Sequence, residues 1–382
     1  MNAVASGVGA FVALLGAAVV VSILAERLRV PVAVALVAVG TFVHVDLPFA
    51  FGDVLLFVFL PPLVFEAAWN LDLGALRRTG VRIAMLAVPG TLATAALVAG
   101  ALIALGVFTP GSALVFGAIV SATDPVAVVA AFRRVDVPLD VRTLVEGESL
   151  ANDGVALVLF ALALAFASGA SPPVGVEIAA GIAAIAIGIA VGVVFGLACA
   201  FALRATDALE YEVTVTIVLA YLAYVAAAAW HGSGLFATAA GAVALRAALA
   251  RMPAALTNAA DVDRAWIALA FIANAVVFLA TGILIQPQRI VHEPVLVIAA
   301  VGAVWLARAL LALVAGRSRR DRVTLFLAGM RGALPLALAL GLPATLPGRP
   351  QIIDATFAVV LITIVAQGAP LQPVLARLYR RA

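Results

Sequence analysis

The residues able to do chemistry in this chain are few and clustered. Three polar stretches interrupt long apolar runs: Val120-Ser121-Ala122-Thr123-Asp124-Pro125-Val126, Glu146-Gly147-Glu148-Ser149-Leu150-Ala151-Asn152-Asp153-Gly154, and Gly329-Met330-Arg331-Gly332-Ala333-Leu334-Pro335. Residues four apart share a helix face, so Ser149 stands with Asp153, and Glu148 with Asn152 on the neighbouring face. Pro125 lacks a backbone donor and disturbs the turn before it, which releases carbonyls beside Thr123 and Asp124. Hard cations such as Na⁺ choose carboxylate, hydroxyl and carbonyl oxygens. Asp124, the Thr123 carbonyl, Ser149 and Asp153 offer such a set from two segments. The same carboxylates bind protons. In a low dielectric a bare carboxylate is disfavoured, so this site must hold either a cation or a proton, and its acids titrate as a coupled unit. Cation–proton exchange follows directly. Arg331 is expected to balance Glu148, leaving the Asp124/Asp153 region to be neutralised by cargo.

The elements positioning these residues belong in a bilayer. Of 382 residues, 65% are hydrophobic and 11% charged, against about 45–50% and 25% in soluble domains, and the mean hydropathy is +1.21. Apolar runs and their breakers delimit thirteen segments, near 5–25, 30–44, 50–68, 83–107, 111–132, 143–167, 174–202, 211–230, 233–250, 265–285, 294–315, 323–342 and 351–375. At roughly 20 residues per span, too little chain remains for a soluble catalytic head or a receptor ectodomain. The pI of about 9.6 comes with a net charge of only +3 and no lysine. Such basicity concerns membrane orientation and argues against nucleic acid as a partner. The single cysteine, Cys199, excludes a disulfide framework. The first segment is followed by Arg27 and Arg29 and preceded by no cation, the reverse of a cleavable leader.

Alternating the thirteen segments from an external N-terminus places nineteen arginines in inner loops and two, Arg289 and Arg349, outside. This positive-inside bias gives a multi-pass cell-membrane protein with a cytoplasmic C-terminus. Arg308 and Arg331 fall inside spans, where charge is costly and marks function by default. Arg308 lies two turns from the inner cluster Arg317–Arg322 and reads as a snorkelling side chain. Glu66 reads equally as part of an inner access funnel or as a packing residue. His44, His231 and His292 fall in outer loops as solvated residues, and the stripe Gly181, Gly188, Gly192, Gly196 reads as close helix packing. The broken segments five and twelve differ by an odd offset and so run oppositely, the geometry of an inverted repeat around a binding site.

Four stretches together resemble the monovalent cation:proton antiporters of the cation:proton antiporter 1 type, the NhaP-like bacterial and archaeal Na⁺/H⁺ exchangers: Phe59-Leu60-Pro61-Pro62-Leu63-Val64-Phe65-Glu66, Ser121-Ala122-Thr123-Asp124-Pro125, Glu146 through Gly154, and Arg331-Gly332-Ala333-Leu334-Pro335. The resemblance covers nearly the whole chain. It implies an all-α membrane protein of about thirteen helices, built as inverted repeats with discontinuous crossing helices. The chain would form one exchanger unit over 1–382 with no soluble regulatory domain. Ion-carrying core helices would lie near 83–167 and 294–375, with the remaining spans serving as dimer contact and scaffold of a homodimer. It implies electroneutral, alternating-access exchange of Na⁺, and of Li⁺, for H⁺ in the service of pH homeostasis. Asp153 is then the principal carrier, completed by Asp124, the Thr123 carbonyl and Ser149, with Glu148, Asn152 and Arg331 as the supporting polar network. No resident cofactor is implied. Electrogenic relatives have an aspartate at the Asn152 position and a membrane lysine. This chain has neither, which fits the electroneutral class.

K⁺/H⁺ exchange is the alternative within antiport. Outside it stand a cation channel, which wants repeated filters or rings of charge, and an intramembrane aspartyl protease, whose Tyr-Asp and Gly-x-Gly-Asp signatures are missing around Asp124 and Asp153.

Overall fold

A computed structural model describes residues 3–28, 30–43, 55–124, 126–132, 135–169, 173–252, 257–284 and 287–380. Pro125, His44, Arg29, Arg133, Arg134 and Arg381 lie outside the described residues, as do the side chains of a few others, Arg289 among them. Every regular element among the described residues is a helix, and no strand occurs among them.

The elements in chain order are α1 (Ala3–Leu28), α2 (Val32–Gly40), α3 (Phe57–Trp69), α4 (Leu73–Ala104), α5 (Pro110–Ile119), α6 (Val126–Phe132), α7 (Leu139–Ala167), α8 (Val174–Ala202), α9 (Leu209–Ala229), α10 (Gly234–Leu249), α11 (Ala259–Leu284), α12 (Pro287–His292), α13 (Pro294–Ala315), α14 (Arg319–Leu327), α15 (Ala333–Leu340) and α16 (Arg349–Leu378). Each of the thirteen apolar segments contains helix. Among the described residues eight helices are long and apolar enough to cross a membrane, and α3, α5 and α10 are shorter apolar helices. Segments five and twelve are each broken: α5 stops at Ile119 and α6 resumes at Val126, while α14 stops at Leu327 and α15 starts at Ala333. The short α12 occupies a connection whose apolar pattern reads as loop. Prolines shape the long helices. Pro89 sits in the π-turn Leu86–Gly90 within α4, where a missing donor loosens the ladder. Pro138 fixes the start of α7 and places it four residues before the apolar pattern begins.

The chain divides into two compact units. One comprises residues 1–55, 81–171 and 274–382; the other comprises 56–80 and 172–273. In the first, Leu14 and Ala18 of α1 pack with Leu36 and Val37 of α2, Phe278 and Leu279 of α11, Leu336 of α15, and Phe357 and Val360 of α16. Gly40 and Gly282 meet backbone to backbone there, and a Cβ on Gly40 would lie 2.7 Å from the Gly282 Cα. In the second unit, the α8 stripe at Gly188, Gly192 and Gly196 rests on the carbonyls of Ser233, Ala237 and Gly241 of α10. Close packing is therefore the role of that stripe, as small residues in lipid allow. Phe65 stacks on Trp266 with ring centroids 4.1 Å apart, and buried Glu212 accepts from the Thr257 and Asn258 amides at 2.8 and 3.0 Å, fixing the entry to α11.

Candidate cation site

Two interrupted helices cross within the first unit. Non-helical residues 121–124 face non-helical residues 328–332, and each supplies what the other lacks. The Asp124 amide donates to the Met330 carbonyl at 2.9 Å. Arg331 Nη1 donates to the carbonyls of Ser121 at 3.1 Å and Ala122 at 2.9 Å. The Arg331 amide donates to Thr363 Oγ1 of α16 at 3.2 Å. Irregular backbone at membrane depth is tolerated only when protein or a wet cavity satisfies its polar groups, and here the two breaks satisfy one another. Gly332 lies against the Asp124 side chain so closely that a Cβ built on it would fall inside the carboxylate. Gly332→Ala must therefore displace Asp124. We expect this variant to lose most of the exchange proposed below while still yielding folded protein, measured as proton flux from proteoliposomes alongside size-exclusion recovery.

α7 presents the other half. Thr123 is clamped by Asn152: its amide donates to Asn152 Oδ1 at 3.3 Å, and Asn152 Nδ2 donates to Thr123 Oγ1 at 2.7 Å. Thr123 Oγ1 also shares a proton with Ser149 Oγ at 2.8 Å. Asp124 is part-exposed. Asp153 Oδ1 is buried and accepts no hydrogen bond among the described residues. The charged groups close enough to act on Asp153 are Asp124, Glu148 and Arg331. The structure places Thr123, Asp124, Glu148, Ser149, Asn152, Asp153 and Arg331 in one unit. With Glu148 engaged by Arg308, their donor set is the carboxylates of Asp124 and Asp153 with hydroxyls and backbone oxygens. Among the described residues no group of three His, Cys, Asp or Glu forms a cage for a resident metal.

Two expectations fail. Arg331 does not balance Glu148. That role belongs to Arg308, whose Nη1 and Nη2 donate to Glu148 Oε1 and Oε2 at 2.7 and 3.0 Å while its Nε donates to the Leu325 carbonyl at 2.8 Å. Nor does Arg308 snorkel, since only 2% of it is exposed. It points across the bundle rather than along α13, because Gly329 leaves room for its stem: a Cβ there would meet Arg308 Cγ and Nε at 2.5 Å. Burial without a carboxylate partner is possible for Arg331 because it stands at the carbonyl end of α5, where the helix dipole is negative. Its Nε and Nη2 are buried without hydrogen bonds among the described residues.

Glu66 lies in the second unit, on α3, where Asn70 Nδ2 donates to its Oε1 at 2.8 Å. Asn152 also donates to Glu148 Oε1 at 3.4 Å, so Asn152→Asp would set two carboxylates side by side near Arg308. We expect that variant to keep exchange and to show a shifted Tm in detergent. Complete loss of flux would instead make Asn152 an ion ligand. Thr363, which caps the Arg331 amide, carries no signal in the sequence.

The chain is similar to known proteins over most of its length. The family model for the transmembrane sodium/hydrogen exchangers matches residues 12–377. The chain is 32% identical over 367 residues to the Na⁺/H⁺ antiporter ApNhaP of Aphanothece halophytica, covering 92% of this chain and 70% of that protein. It is 31% identical to the Na⁺/H⁺ antiporter NhaP of Pseudomonas aeruginosa, covering 86% and 82%. Its fold is that of the sodium proton antiporter MjNhaP1 of Methanocaldococcus jannaschii, with a TM-score of 0.81 at 21% identity over 99% of this chain and 100% of that one.

Proposed function

The chain belongs to the transmembrane sodium/hydrogen exchanger family, and on that premise we propose that it exchanges Na⁺, or Li⁺ in its place, for H⁺ across the cell membrane. One observation carries the reading: Asp153 keeps a buried carboxylate oxygen without a donor among the described residues, beside a hydroxyl pair formed by Thr123 and Ser149. Arg308 cancels Glu148. Besides Glu148, the charged groups that act on Asp153 among the described residues are Asp124 and Arg331. With both acids ionised, that trio carries one net negative charge. A single monovalent cation neutralises it, and so does a single proton. Occupancy by one excludes need for the other, and the loaded site crosses the membrane neutral in both directions, which supports electroneutral exchange.

The first unit, holding the whole site, acts as the ion-carrying body in alternating access. The second supplies scaffold and the contact of a homodimer. All thirteen segments cross the membrane, with the N-terminus outside and the C-terminus cytoplasmic. Sodium is favoured over potassium because the similar proteins are named for sodium.

The test is proton flux from proteoliposomes containing a pH-sensitive dye, with Na⁺, Li⁺ or K⁺ added in turn under a membrane-potential clamp and without it. Flux with Na⁺ and Li⁺ that ignores the clamp is the expected result. Flux that follows the clamp overturns electroneutrality, K⁺-driven flux overturns the cargo, and silence with all three overturns antiport.

A further inference from the structure

The ends of α13 and α16 carry a basic surface unrelated to the transport site. α13 ends at Ala315 and α16 at Leu378, both closing helices of membrane length. Immediately beyond or at those ends stand Arg317, Arg319, Arg320, Arg322, Arg377 and Arg380, all exposed. The Thr324 and Tyr379 hydroxyls share a hydrogen bond at 3.0 Å, which ties α14 to the end of α16 and brings Arg320 next to the pair flanking Tyr379. Arg322 gives its Nε to the Gly316 carbonyl at 3.2 Å. The one acid among them, Asp321, is already engaged: it accepts from Ser318 Oγ at 2.9 Å and faces Arg82 at 4.0 Å. Arg319, Arg320, Arg377 and Arg380 make no ion pair among the described residues.

Two of these arginines stand where a helix least favours them. Arg319 and Arg320 open the nine-residue α14, whose N-terminal amides already present positive potential. Ser318 caps only the Asp321 amide, at 3.0 Å. Orientation in the membrane explains arginine on this side of the protein, but not arginine in the first turn of a helix near two further cations, Arg377 and Arg380, that make no ion pair among the described residues. An anion at this place resolves both costs, since guanidinium forks match phosphate oxygens. The level is that of the lipid headgroups, just past two apolar helices. From this we propose that the surface formed by α14 and the end of α16 binds the phosphate of anionic phospholipids in the surrounding leaflet. This rests on the membrane-spanning part of the function proposed above and not on exchange itself.

The test is thermal unfolding of the detergent-purified full chain, titrated with short-chain phosphatidylglycerol, with phosphatidylcholine and with inorganic phosphate. Phosphatidylglycerol should raise Tm saturably, with weaker effect at high salt, while the other two do little. Each arginine near an anionic surface contributes roughly fivefold in affinity. Replacing Arg319, Arg320, Arg377 and Arg380 together by Gln should therefore raise the half-saturating concentration by at least about 50-fold, whereas replacing all four by Lys, which keeps the charge but not the fork, should raise it by less. Removing equal charge elsewhere, at Arg27, Arg77, Arg204 and Arg251, should leave it in place. An equal response to phosphatidylcholine or to inorganic phosphate overturns the proposal, as does no response. So does a loss in the control variant as large as in the Gln variant. Because the readout is binding, protein inactive in exchange still gives an answer.

Discussion

Asp153→Asn should bring cation-driven proton flux down to that of protein-free vesicles while leaving the protein at least as stable as before. The substitution keeps the side chain's shape and removes its charge. A buried carboxylate oxygen without a donor, as found for Asp153 Oδ1, is a cost to the fold. Neutralising it removes that cost, and the Tm in detergent should hold or rise. A packing residue would behave in the opposite way, losing stability and retaining some function. Robust Na⁺-dependent flux in this variant would sink the assignment of Asp153 as the carrier, and a large drop in Tm would recast it as structural.

Arg308→Ala should be the most destabilising single change at the site. It strips Glu148 of both its guanidinium bonds and the Leu325 carbonyl of its donor. Breaking a buried ion pair from one side costs about 3–5 kcal/mol, whereas replacing both partners by apolar side chains of similar size is often neutral. Arg308→Met combined with Glu148→Met should consequently recover much of the Tm lost by Arg308→Met alone. If the single and double variants melt together, the two side chains are not coupled and the charge count at the site must be redrawn.

Much of the site is legible before any coordinates. Ser149 and Asp153 are placed by helical spacing, and Thr123–Asp124 and Arg331–Gly332 are marked by Pro125, Gly332 and polar atoms inside apolar runs. What depth alone conceals is direction around the helix axis. Arg308 and Arg331 are both intramembrane arginines, and counting residues from the inner cluster makes Arg308 a snorkelling cation. The signal that decides otherwise lies in its neighbours. Ala300, Val304 and Ala307 share its buried face, while Leu306, Leu310 and Leu313 are exposed, so Arg308 stands on the small-residue side that packs against protein. The bonds of Arg331 were less accessible still. Its acceptors are backbone carbonyls about 210 residues away in sequence, and carbonyls leave no trace in side-chain pattern. Glu66 was legible as a motif residue, but its bond to Asn70 says nothing of cargo.

The mutual satisfaction of the two broken helices also bears on how the protein is made. Synthesis runs from the N-terminus, so residues 121–124 enter the bilayer long before Arg331 has been translated. Until then the Ser121 and Ala122 carbonyls and the Asp124 amide lack their eventual partners, in a solvent that offers no replacement. A contact between residues some 210 apart is also late on grounds of loop closure. Assembly of the candidate cation site is thus among the last events of biogenesis. A nascent chain halted before residue 331 would hold its first half inserted yet unfinished, a natural target for membrane quality control.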